Sequence, residues 1–147
     1  MTASSEAVAL AVAAAEAASE KLGEEIMAID VSDHVVITDV FLMISAANDR
    51  QVKGVVDGVE ERLRSMGAKP LRREGERESH WVLLDYGDIV VHVQLAEARI
   101  HYAIERLWKD CPMLELPASV NAPKSTHESA RAAVYDGATT LNPQEAS

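Results

Sequence analysis

The chain has 147 residues, 48% of them apolar and 4% aromatic, with a formal net charge of −10 and a single cysteine, Cys111. That length suits one domain with a core packed largely by alanine and valine, and the lone cysteine excludes an intramolecular disulfide framework and a multi-cysteine zinc site. An acidic chain repels phosphate backbones, so the balance points away from direct nucleic-acid binding and toward a basic protein partner.

Residues 5–27 read as a helix. Val8, Val12, Ala15, Leu22 and Ile26 recur at three- and four-residue steps, with Ser19 filling the gap. The stretch is weak in apolar bulk and needs a partner surface. No cationic region precedes it, and Glu6, Glu16 and Glu20 interrupt it, so it does not read as a signal peptide. No run reaches the ~18 apolar residues of a membrane span. The cytosol is the simplest compartment. Ile29 to Ser32 reads as a short strand and Asp33-His34 as a turn. Thr38 to Ser45, "TDVFLMIS", carries five consecutive apolar residues and suits a strand buried on both faces.

A helix opens at Asn48, a good N-cap, with Gln51 three residues on as in a capping box. Val52, Val55, Val56, Val59, Leu63 and Met66 form its apolar stripe, and Gly67 is placed to end it. Gly54 and Gly58 each cost about 1 kcal/mol against alanine inside a helix. They share a face, which fits close approach to a sheet or a contact between subunits. Lys69 to His80, "KPLRREGERESH", is polar and charged and reads as an edge strand followed by a mobile, solvated loop.

"WVLLDYGDIVVHV", Trp81 to Val93, then reads as a hairpin. With Tyr86-Gly87 as its two-residue loop, Asp85 faces Asp88, Leu83 faces Val90 and Trp81 faces His92. Those six side chains point one way; Val82, Leu84, Ile89 and Val91 point the other, toward a core. The mixed face is either half covered by another element or presented to a partner. Residues 96–109 read as a second amphipathic helix with Ile100, Ala103, Ile104, Leu107 and Trp108 as its stripe, ended by Pro112 and Pro117. One domain is therefore expected over residues 1–117 and a disordered tail over 118–147. Strands and helices in this order predict an α/β or α+β fold with a mixed sheet flanked by helices.

Little in the chain argues for catalysis. Asp85 and Asp88 could hold a divalent metal, but aspartate is also a common turn residue. No Gly-rich phosphate loop and no Gly-Ser pair occurs. His34, His80, His92, His101 and His127 form no HxxxH or HExxH spacing. His92 on a strand reads first as a hydrogen-bonded structural residue. Cys111 follows a helix C-terminus, whose partial negative charge raises rather than lowers a thiol pKa. No catalytic residue, metal or cofactor is assigned.

In order, "TDVFLMISAANDRQVKGVVDGVEERL", "WVLLDYGDIVVHV" and "ARIHYAIERLWKD" resemble the ribosomal silencing factor family, also called Iojap-like proteins, from about Ile29 to Asp110. The W-x-L-x-D-Y-G-D-x-V-V-H block is the most specific part. The resemblance implies a nucleotidyltransferase-like fold without the catalytic motif, and a non-enzymatic repressor of translation. Such a factor binds the large ribosomal subunit through its ribosomal protein fourteen and blocks docking of the small subunit, especially when nutrients are scarce. Homodimers are also implied. Carried over by position, the matching residues are Trp81, Leu83, Asp85, Tyr86, Gly87, Asp88 and His92, and the partner-binding set is Trp81, Leu83, Asp85, Tyr86, Asp88 and His92. Gln94 stands where an aromatic is expected, and "SAAND" replaces a glycine-containing turn. The alternatives from other classes are a large-subunit assembly factor and a nucleotidyltransferase-like enzyme using Asp85 and Asp88.

Overall fold

The computed structural model describes residues 2–75 and 80–122. Residues 76–79 of the expected loop and residues 123–147 of the expected tail lie outside them. The elements run α1 (Ser5–Glu20), β1 (Glu24–Asp30), β2 (Val40–Ala46), α2 (Asp49–Ser65), β3 (Arg72–Glu74), β4 (Trp81–Asp85), β5 (Ile89–Leu95), α3 (Ala96–Tyr102) and α4 (Ile104–Leu107). The strands form one sheet in the order β1-β2-β5-β4-β3, in which β2 and β5 pair in parallel and the other neighbours are antiparallel. This is the expected α+β fold with a mixed sheet flanked by helices. β2 and β5 lie at its centre and are buried almost throughout, β2 with the apolar run Val40–Ile44 and β5 with His92 and Gln94 buried among its apolar residues.

The first helix is shorter than the periodicity suggests. It ends at Glu20, and Glu24–Asp30 is strand, so the expected strand at Ile29 begins five residues early. The stop is a Schellman motif: Gly23 N–H donates to Ala18 O at 2.8 Å and Leu22 N–H to Ser19 O at 3.0 Å, with Leu22 left-handed at φ +69°. A Cβ on Gly23 would fall 2.9 Å from an Ile44 methyl, so only glycine fits there. The buried stripe of α1 is also not the valine one. Ala7, Ala11, Ala14, Ala15 and Ala18 are fully buried, whereas Val8 and Val12 are half-buried, because small side chains let the helix lie close to the sheet.

The second helix follows its local signals. Asn48 accepts from Gln51 N–H at 2.9 Å, while the Gln51 side chain accepts from Ala47 N–H, one residue before the usual capping-box partner. Val52, Val55, Val56, Val59 and Leu63 are buried; Met66, counted with that stripe, is the C-cap and is half exposed. A Cβ added at Gly54 would meet nothing within 4 Å, and one at Gly58 would fall 2.8 Å from the Lys21 side chain at the end of α1 rather than against the sheet.

Helices α1 and α2 cover one sheet face over Val40, Leu42, Ile44, Val82, Leu84, Val91 and Val93. On the other face Ile29, Val31, Met43 and Cys111 pack with Phe41, Ile104 and Trp108. The expected helix over 96–109 is broken in two at Ala103, which is left-handed at φ +46°. That break turns Ile100 and Leu107 outward, to 78% and 73% exposure, so neither belongs to a buried stripe. Residues 118–122, expected as the start of the tail, dock on β1. Val120 is buried, and the Asn121 side chain accepts from Ile26 N–H and donates to Ile26 O at 2.8 and 2.7 Å.

Candidate functional site

The hairpin forms as expected, but its register differs by two residues. Asp85 pairs with Val90, Leu83 with His92 and Trp81 with Gln94. Tyr86 N–H donates to Ile89 O at 2.9 Å, which makes Gly87-Asp88 the loop, with Gly87 at φ +86°. A glycine with positive φ at the first central position suits the twist of a two-residue hairpin. Slipping by two keeps each strand residue on its face. Trp81, Leu83 and Asp85 therefore share a face with His92, as expected, together with Val90 and Gln94.

Tyr86 is the exception. Moving it from the loop into the ladder places it beside Leu84 on the core face, where it is only 8% exposed. Its hydroxyl is buried without a hydrogen-bond partner among the described residues. Burial, with Glu60 adding to it, pushes that phenol up to about 12. Tyr86 is thus not part of an exposed tip. Asp88 is exposed at the loop, and its carbonyl accepts from Asp39 N–H at 3.0 Å. Asp85 is half-buried: one carboxylate oxygen accepts from Gly87 N–H at 2.8 Å, and the other lies 3.6 Å from Arg72. It shapes the turn as well as facing outward. Among the described residues no group of three or more His, Cys, Asp or Glu could hold a metal ion.

An aromatic row crosses this face. Tyr102 lies 4.8 Å from Trp81 between ring centroids, Trp81 lies 6.0 Å from His92, Phe41 meets His92 edge-on at 5.3 Å, and Trp108 meets Phe41 edge-on at 5.6 Å. Trp81 and Leu83 are half-buried, and Tyr102 is 53% exposed. Sequence reading missed Tyr102, because only the break at Ala103 sets α3 against Trp81. Trp81 Nε1 donates to His92 Nδ1 at 3.2 Å. The imidazole proton must then sit on Nε2, which finds no acceptor among the described residues. Burial, and secondarily Arg99, pushes His92 down to about 4, so it is a neutral support for Trp81 at physiological pH. At 6% exposure it has almost no surface to offer a partner.

Beside His92 lies a buried polar group. Arg99 donates to Ser45 Oγ at 2.9 Å and to Glu105 at 3.2 Å, pinning α3 and α4 to β2. Gln94 is fully buried, and neither polar atom of its side chain has a partner among the described residues. Cys111 is buried, and its thiol is pushed up by burial and then by Asp110.

No helix among the described residues is long and apolar enough to cross a membrane. The family model "Ribosomal silencing factor during starvation" matches residues 3–140. A ribosomal silencing factor of Bacillus subtilis is 34% identical over 108 residues, covering 74% of this chain and 92% of the relative. The chloroplastic protein Iojap of Zea mays is 30% identical over 76% of this chain and 49% of its own length. Among solved structures, a Chromobacterium violaceum protein matches with a TM-score of 0.67 at 32% identity, over 69% of this chain and 85% of that one. A Bacillus halodurans protein matches with a TM-score of 0.64 at 31% identity, over 77% and 100%. With nearly its whole length matched by the family model and a Bacillus subtilis member 34% identical over most of both chains, the chain belongs to the ribosomal silencing factor family.

Proposed function

We propose that this protein represses translation by binding the large ribosomal subunit through its ribosomal protein fourteen, so that the small subunit cannot dock. The observation that carries the reading is the half-open face of the hairpin, with Trp81 and Leu83 beside Tyr102 and the carboxylates of Asp85 and Asp88 at its end. Aromatic side chains anchor interfaces because they bury large areas at low entropic cost. Carboxylates at the rim suit the Arg and Lys side chains of a basic ribosomal protein. On this reading Trp81, Leu83, Asp85 and Asp88 touch the partner, His92 holds Trp81, and Tyr86 anchors the hairpin from below. Contact is with protein rather than RNA, and no reaction or cofactor is involved. The exposed Ile100, Tyr102 and Leu107 would extend this face, or serve a second copy of the chain in a homodimer that competes with the ribosome.

The test is co-sedimentation of the purified protein with isolated large subunits, followed by addition of small subunits. The reading expects binding that lowers the yield of joined ribosomes, and its loss in a Trp81→Ala, Asp85→Ala double variant that still folds. Binding that leaves joining intact would point to subunit assembly instead, and absence of binding at low salt would overturn the proposal.

A further inference from the structure

The loop between β1 and β2 carries the two most exposed large apolar side chains among the described residues. Of Val35-Val36-Ile37, the first is half-buried and packs on the cluster that holds Phe41 and Trp108, whereas Val36 is 99% and Ile37 79% exposed. We propose, on the strength of the docking reading above, that Val36 and Ile37 form a second prong, which enters an apolar recess on the same basic ribosomal protein that the hairpin face binds.

The loop is braced at its stem. Val31 N–H donates to Asp39 O at 2.9 Å, and His34 and Val35 N–H both donate to Val31 O, at 2.9 and 2.8 Å. The Asp39 carboxylate accepts from Ser4 N–H at 2.8 Å, tying the stem to the start of α1. A prong fixed in this way loses little conformational freedom when it is bound. It also adjoins the docking face twice. Asp39 N–H donates to Asp88 O at 3.0 Å, which sets the loop beside the hairpin turn. His34 lies 6.4 Å from Trp108 between ring centroids, so the aromatic row that starts at Tyr102 ends on this loop. Leu71, 72% exposed, extends the apolar surface past the turn, where a Cβ on Gly87 would come 3.4 Å from its methyl.

Apolar residues exposed singly are ordinary on a protein surface. Here two β-branched side chains stand together on a braced loop, at the rim of a face that already exposes aromatic surface. The charge around them selects the occupant. Asp33 and Asp88 are exposed at this end of the sheet, and Asp85 is half-buried behind the turn, where Arg72 lies 3.6 Å from it. A second copy docked by the same end would bring these acids against its own, and like charges facing each other across an interface are costly. Anionic lipid and RNA phosphate would meet the same repulsion. A basic protein offers the opposite sign, with apolar surface between its lysines and arginines.

The experiment is co-sedimentation of the full chain with isolated large subunits, at low and at physiological salt. Val36→Ser combined with Ile37→Ser should weaken binding about tenfold or more, with an unchanged melting temperature, because both side chains stand in solvent. Leu22→Asn, at a half-exposed leucine beside the opposite end of the sheet, should bind as the wild type does. Asp88→Asn should weaken binding most at low salt, as a charged rim requires. Wild-type affinity in the prong variant would overturn the proposal while leaving the hairpin docking in place, whereas failure of the wild type itself to bind at low salt would remove both. Light scattering of the free protein tests the other occupant. A wild-type dimer that the prong variant dissociates, with subunit binding unchanged, would give the prong to a second copy and overturn the proposal, as would prong-dependent binding to protein-free ribosomal RNA.

Discussion

Acidification should loosen the hairpin through His92. In the unfolded chain this imidazole takes its proton near pH 6.5; in the folded protein it does so only near pH 4. Between these values the unfolded state binds more protons, so the stability is fully present above pH 6.5 and is lost as pH falls toward 4. At about 1.36 kcal/mol per tenfold, the whole displacement is worth about 3 kcal/mol, of which about 2 kcal/mol should go between pH 7 and pH 5. The cause is geometric as well as dielectric. A protonated His92 would turn an N–H toward the Trp81 N–H that now donates to it. The assay is urea unfolding from pH 4.5 to 7.5 for the wild type and for His92→Asn, whose amide oxygen can still accept from Trp81. Carboxylates common to both proteins cancel in the difference. That difference should be flat above pH 7 and move by about 2 kcal/mol on going to pH 5. A difference independent of pH across the range would show that His92 is not held neutral and would refute the argument.

Three substitutions test the rest of the site. Tyr86→Ala should destabilise the fold by about 3–5 kcal/mol, measured by the denaturation midpoint, because its ring is buried in the core; near-wild-type stability would return Tyr86 to the surface. Gln94→Met removes two unpartnered polar atoms from a fully buried position and should stabilise by about 1–3 kcal/mol in urea, unless those atoms are satisfied in solution, in which case the variant loses stability. Gly54→Ala, at a helical position with nothing within 4 Å of the new Cβ, should raise the melting temperature through a gain of about 0.5–1 kcal/mol; a fall would mean that another surface closes on that face.

The two hairpin faces divide the labour of the fold. Val82, Leu84 and Tyr86 hold the core under α1 and α2, while Trp81, Leu83 and Asp85 stay half-buried on the other side. Asp30 helps fix the chain near this sheet. Burial alone would raise its carboxyl, but hydrogen bonds from Ser32 and Ala3 N–H outweigh that and hold it below the usual range. Its contribution is therefore present at neutral pH and disappears only in strong acid, below the window in which His92 acts.

What the sequence alone determined was local and periodic. The unbroken run in β2, the Asn48 cap and valine stripe of α2, and the alternation of β4 were all legible. Even with the wrong loop residues, alternation sorted Trp81, Leu83, Asp85 and His92 to one face, because a slip of two leaves a period of two unchanged. Tertiary structure decided the rest. Residue 23, just past the end of α1, has to be glycine because Ile44 of β2 leaves no room for a side chain. Tyr86 turns inward because the ladder takes it up. Ala103 breaks a helix that periodicity runs straight through, and so sets Tyr102 against Trp81. The neutrality of His92 depends on segments brought together only by folding. Periodicity is a property of neighbouring residues, whereas burial, charge and concavity are sums over everything the fold packs around a point.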